Sequence, residues 1–143
     1  MKDTIITVTV VIVAVVLSGC PGRLVVNEPP RYVSEWTKAS ITKEAMKHYI
    51  ITAGSKTTIP WVMREIAPGV LRAQLNYKNK HKVTIDIPYS ADSYRFVYVD
   101  SEMMRYYPNT ATLDNYPQIG PYYFRWTEEL DYAILDILEG VRN

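Results

Sequence analysis

The sequence predicts an α+β two-layer sandwich. An antiparallel four-stranded meander carries an N-terminal and a C-terminal helix on one face, in the order α-β-β-β-β-α. Three observations predict it. Apolar residues recur with a helical period between 43 and 53, at every second residue between 59 and 99, and with a helical period again between 122 and 140. A chain of 143 residues suits one such domain. The 16 Lys and Arg nearly balance 15 Asp and Glu, so the electrostatic footprint of a nucleic-acid binder is missing. One Cys allows no internal disulfide framework, and two His give little from which to build a zinc site.

The chain opens MKDTIITVTVVIVAVVLSGC. Lys2 precedes an uncharged apolar run from Ile5 to Leu17, and that run falls short of the ~20 residues a spanning helix needs. Residues 1–19 therefore read as a secretory signal. The end of the run, Leu17-Ser18-Gly19-Cys20, resembles the lipobox of bacterial lipoproteins. That resemblance implies recognition of Leu17, Ser18 and Gly19 by a signal peptidase, cleavage before Cys20, a thioether-linked diacylglycerol on its sulfur, and an acylated amino terminus. The alternative is an ordinary thiol ending a transmembrane anchor. Several acyl chains hold firmly, because each buried CH₂ contributes ~0.8 kcal/mol. No cofactor is expected beyond this covalent lipid. Pro21 rather than Asp follows Cys20, which favours the outer membrane, facing the periplasm, over retention in the inner one.

Residues 20–39 carry Gly22 and Pro29-Pro30 without any period and read as a tether, with Tyr32 and Trp36 near its end able to dock on the domain. The domain proper is expected over 40–143. Its first helix is expected over Lys43–Ala53, with Thr42 as N-cap, Ala45, Met46, Tyr49, Ile50 and Ala53 on one face, and Gly54 as the C′ residue. His48 borders that stripe with no second ligand at helical spacing.

Ile59, Trp61 and Met63 then alternate, and Pro60 marks an edge strand. After a turn at Ala67-Pro68-Gly69, Leu71, Ala73, Leu75 and Tyr77 alternate with polar residues; after residues 78–80, so do Val83, Ile85 and Ile87. A three-residue loop pairs Tyr77 with His81, Leu75 with Val83, Ala73 with Ile85, and Arg72 with Asp86, which reads as an exposed cross-strand ion pair. Pro88–Ser93 reads as a polar loop. The fourth strand, Tyr94–Val99, is apolar on both parities; Tyr94, Phe96 and Tyr98 are placed inward, Val97 and Val99 outward. With Val62 and Val70 also outward, the outer face becomes partly apolar and fit to be covered. Residues 101–121 form a long loop. The last helix then places Tyr123, Trp126, Leu130, Ala133, Ile134, Ile137 and Leu138 on one stripe, with Glu128, Glu129, Asp131, Asp136 and Glu139 elsewhere.

No nucleophile elbow, phosphate loop or dinucleotide fingerprint occurs, and Asp86, Asp92 and Asp100 read more simply as strand and loop residues than as a catalytic pair. The chain is not expected to be an enzyme. Its anomaly is tyrosine: Tyr106, Tyr107, Tyr116, Tyr122, Tyr123 and Tyr132 are half of its 12. Such rings make interface hot spots and stack on sugars, or else simply pack the loop and helix onto the sheet.

The chain is similar to an uncharacterised family of small proteobacterial lipoproteins. The similarity rests on the Leu-Ser-Gly-Cys start, GVLRAQL at Gly69–Leu75, VTIDIPYSADS at Val83–Ser93 with Tyr94 after it, Tyr98–Ser101, and Tyr123, Arg125, Trp126 and Leu130 in the last helix. It implies an exported lipoprotein and no particular activity. Met103–Pro121 is longer than the linker the resemblance implies. The expectation is a membrane-anchored module that binds an envelope protein through the sheet face (Arg72, Asp86, Val97, Val99) or the tyrosines (Tyr106, Tyr107, Tyr116, Tyr122). The rival readings are peptidoglycan binding through the tyrosine-rich loop 101–123 and, further off, an envelope hydrolase.

Overall fold

The alternating segment folds as an antiparallel sheet of β3 (Trp61–Ala67), β4 (Val70–Tyr77), β5 (His81–Pro88) and β7 (Val97–Glu102), in that order across the sheet. The computed structural model describes residues 23–24, 29–108 and 117–141. Two helices, α1 (Lys43–Lys56) and α2 (Pro121–Gly140), flank the sheet. Short strands β1 (Arg23–Leu24), β2 (Arg31–Tyr32), β6 (Ser93–Tyr94) and β8 (Gln118–Ile119) make two further ladders, β1 with β8 and β2 with β6. The α+β class and the meander are those the sequence predicts.

The central hairpin has the predicted register, with Tyr77 opposite His81, Leu75 opposite Val83, Ala73 opposite Ile85 and Arg72 opposite Asp86. Lys78 and Asn79 turn it with φ of 55° and 54°, and Gly69, at φ 82°, turns β3 into β4. Tyr77 and His81 at the hairpin end are half-buried, while the inward residues Leu71, Ala73 and Leu75 of β4 and Val83, Ile85 and Ile87 of β5 are buried. These join Met46, Ile50 and Ala53 of α1 and Tyr123, Trp126, Leu130, Ile134 and Leu138 of α2 in one core.

Thr42 caps α1, its Oγ1 accepting from Ala45 N at 3.1 Å. The helix runs one turn past the predicted end, because Gly54 is not its terminator. Gly54 is buried inside that turn, where a Cβ would press on the flexible end of Met63 and lie 3.3 Å from Trp61 Cβ. The missing side chain lets α1 approach β3 closely.

The segment predicted as one strand, Tyr94–Val99, is divided. Tyr94 belongs to β6, Arg95 and Phe96 interrupt, and β7 continues to Glu102. A bulge then skips Val99: Tyr98 pairs with Ile85 but Asp100 with Thr84, so parity reverses along β7. Tyr89, assigned to a polar loop, is buried. The described part of the tether, residues 23–24 and 29–39, is docked, since β1 and β2 are paired, Val33 is buried, Trp36 packs on the core, and Thr37 Oγ1 donates to Val141 O at 2.8 Å. The predicted loop 101–121 likewise contains β8 and contributes Met104 and Ile119 to the core.

Where β3 turns into β4, Glu65 gathers three donors. Lys47 Nζ reaches Oε2 at 2.7 Å, while Tyr89 OH and Gly69 N reach Oε1 at 2.8 and 3.3 Å. The Lys47 bond foremost, then that of Tyr89, holds the carboxyl down at about 2. Burial, then the same carboxylate, pushes the Tyr89 hydroxyl up to about 12. A carboxyl depressed in the folded state contributes stability above its unfolded value near 4.5, and that contribution is lost as pH falls to about 2. Denaturation across this window is expected to show a shallower loss of stability for Glu65→Gln than for the parent; equal slopes would remove Glu65 from the acid response.

Candidate binding surfaces

Beside its core stripe, α2 carries a second one. Tyr122, Arg125, Trp126 and Glu129 fall at i, i+3, i+4 and i+7, and together with Tyr77, His81, Thr58 and Ile59 they line a groove of about 300 Å³. The rings are in ordered contact. Tyr122 lies 5.8 Å from Trp126 at 27°, Tyr77 lies 6.0 Å from Trp126 at 58°, and Tyr77 lies 6.3 Å from His81 at 26°. Glu129 Oε1 accepts from Thr58 N at 2.7 Å and from Thr58 Oγ1 at 2.6 Å, which fixes one wall. His81 Nδ1 lies 3.0 Å from Met103 O and donates to it, since a carbonyl only accepts. Arg125 is exposed and makes no ion pair among the described residues. Ring faces with a few converging polar groups suit a flat or ring-shaped ligand that also carries hydrogen-bonding groups.

The second surface is the sheet's outer face, opposite both helices. Arg72 grips Asp86 in a bidentate pair, Nε to Oδ1 at 2.8 Å and Nη2 to Oδ2 at 2.9 Å. The two side chains are 29% and 20% exposed, so the pair is more sheltered than the sequence suggests, because the neighbouring strands shield its stems. Val97 lies across from Asp86 on β7, which brings Arg72, Asp86 and Val97 side by side. Val62 is 72% exposed on β3, and Ile66 and Val99 are also exposed. This face is therefore apolar at both edges around a fixed planar ion pair.

The predicted tyrosine surface is dispersed. Tyr106 is half-buried and stacks on Tyr98 at 4.5 Å, and Tyr98 in turn meets the buried Tyr123 edge-on. Tyr107 and Tyr122 point outward, Tyr107 at the bridge to Gln118 and Tyr122 over the groove. Leu17, Ser18, Gly19, Cys20 and Tyr116 lie outside the described residues. Among the residues weighed for catalysis, Asp86 is held by Arg72, Asp92 and Asp100 are exposed on a loop and on β7, and His48 is exposed on α1.

Two features escaped the sequence reading. Asp131, placed on the polar side of α2, is buried, with Tyr94 OH donating to Oδ1 at 2.7 Å and Arg31 Nη2 lying 2.9 Å from Oδ2. The groove stripe was visible as helical spacing, but it reads as surface until Tyr77 and His81 are docked opposite. Among the described residues no group of His, Cys, Asp and Glu is placed to hold a metal, and no helix is long and apolar enough to cross a membrane. Compared with known proteins, the chain matches no family model, no curated protein and no solved structure.

Proposed function

We propose that this chain is a lipid-anchored lipoprotein of the bacterial envelope, a non-catalytic module that binds an envelope protein on the outer face of its sheet. The anchor is argued from Leu17-Ser18-Gly19-Cys20. The observation that supports the binding face is its apolar edges, Val62 with Ile66 on one side and Val99 on the other, beside the fixed Arg72–Asp86 pair. Exposed apolar side chains and arginine both recur at protein interfaces.

Photoreactive residues at Val62 and Val99, with a control at Tyr132, 71% exposed on α2, test this in cells. The expected result is one envelope protein captured from the sheet positions, absent from the control, and lost on Val62→Glu when the probe is at Val99. Identical products from all three positions overturn the reading.

A glycan is the second reading, favoured by the stacked Tyr122 and Trp126 beside Arg125 and Glu129. It expects purified sacculi to retain the parent protein and release Tyr122→Ala.

A further inference from the structure

We propose that one end of the domain, bearing Met103, Arg105 and Tyr107 with Lys78 and Lys80 of the β4–β5 turn, rests on the anionic phospholipid surface that holds Cys20. The inference deepens the proposed function and rests on lipidation of Cys20. Chain length carries the first step. Arg23 pairs with Ile119 and Leu24 with Gln118, so the chain is held on β8 at Arg23 and Leu24. Pro21 and Gly22 alone separate Arg23 from Cys20. Three residue steps at ~3.3–3.6 Å each span at most about 11 Å. An acylated Cys20 seated in a bilayer therefore brings β8 close to the headgroups, in place of the long tether the sequence suggests.

The neighbours of β8 determine what meets the lipid. Tyr107 and Gln118 exchange backbone hydrogen bonds of 2.8 and 2.9 Å, Gly120 N donates to Met104 O at 2.9 Å, and His81 binds Met103 O. The β4–β5 turn, residues 103–107 and the start of α2 thus share one end with β1. Between 103 and 105 the backbone is unusual: Met103 and Arg105 hold φ of 56° and 53°, a region sparsely used by residues with side chains. This kink buries Met104 in the core and leaves Met103, 72% exposed, and Arg105 projecting outward. Tyr107 is 57% exposed beside them.

Charge complements this surface. Lys78, Lys80 and Arg105 are exposed and form no ion pair among the described residues, while Glu102 nearby is taken by Lys82 at 2.9 Å and Glu129 by Thr58. Lys78 Nζ also lies 5.0 Å over the Tyr77 ring, but none of the three cations is neutralised by a carboxylate among the described residues. Cations without acidic partners beside an exposed Tyr and Met match the headgroup layer, where phosphates meet the upper acyl chains. End-on docking leaves the outer sheet face open to a protein partner.

The test uses full-length protein purified with its lipid and reconstituted in vesicles of phosphatidylethanolamine and phosphatidylglycerol. A thiol-reactive nitroxide is offered first to the parent, in which a thioether at Cys20 takes up no label. It is then attached to Tyr107→Cys, Lys80→Cys and Glu139→Cys, the last ~25 Å along α2 from Tyr122. The expected result is a several-fold loss of collisions with a water-soluble nickel chelate at 107 and 80 but not at 139. That protection should disappear in phosphatidylcholine vesicles and, at 107, in the Lys78→Glu/Lys80→Glu/Arg105→Glu variant. Labelling of the parent overturns the anchor and this inference with it. An unlabelled parent with 107 and 80 as accessible as 139 leaves the anchor standing and overturns the docking, and protection that survives on phosphatidylcholine overturns the role of the cations.

Discussion

Removing the Asp131 carboxylate is expected to lower the unfolding free energy of the domain by about 3 kcal/mol. Asp131 is 7% exposed, and its two oxygens are divided between Tyr94 OH and Arg31. Arg31 lies on β2 and Tyr94 on β6, so one carboxylate fastens the N-terminal segment and its ladder to α2. In Asp131→Ala the hydroxyl of Tyr94, a residue 2% exposed, loses that acceptor in a place water does not reach, a cost of ~1–3 kcal/mol. The side chain of Arg31 is 43% exposed and rehydrates, so its share is small. Tyr94→Phe, which leaves the Arg31 contact in place, should cost about 1 kcal/mol. The double variant should cost little more than Asp131→Ala alone, because both changes delete one interaction. Urea denaturation measures all three, and simple additivity would sink the claim that the two groups act together.

Asp131 also shows where sequence reading stops. Along α2 it falls with Glu128, Asp136 and Glu139, outside the apolar stripe, and its partner Arg31 comes from a segment that reads as a tether. Only the fold makes that segment part of the domain. The central hairpin was legible because period, loop length and charge pairing all select one register, and a one-residue slip would turn Leu75 and Val83 to solvent. Tyr94–Val99 was not, since a run apolar on both parities gives alternation nothing to fix, and the break at Arg95–Phe96 followed by the bulge at Val99 decides its pairing. Gly54 has the freedom in φ that suits a helix stop, but it lies inside α1, where the tight neighbour for a Cβ is Trp61 Cβ at 3.3 Å. Half of the groove was readable from the spacing of Tyr122, Arg125, Trp126 and Glu129. The other half depends on a hairpin end arriving opposite, which no local pattern encodes.

The groove residues divide into those that hold the domain and those that only line its surface, and two substitutions four residues apart separate them. Trp126 is 6% exposed and touches both Tyr77 and Tyr122, so Trp126→Ala empties a volume the core cannot refill and is expected to cost ~3–5 kcal/mol. Against a total stability of ~5–15 kcal/mol for such a domain, that is a large share. Tyr122 stacks on the same indole from outside and is 56% exposed, so Tyr122→Ala should cost less than ~1 kcal/mol, a change of a few degrees in Tm. Thermal unfolding of both variants decides the matter. If Tyr122→Ala were as damaging as Trp126→Ala, the outer ring would be structural, and any loss of sacculus binding in that variant would report unfolding. If the costs separate as expected, Tyr122→Ala leaves a folded domain with an altered groove, and its binding behaviour then reports on the groove alone.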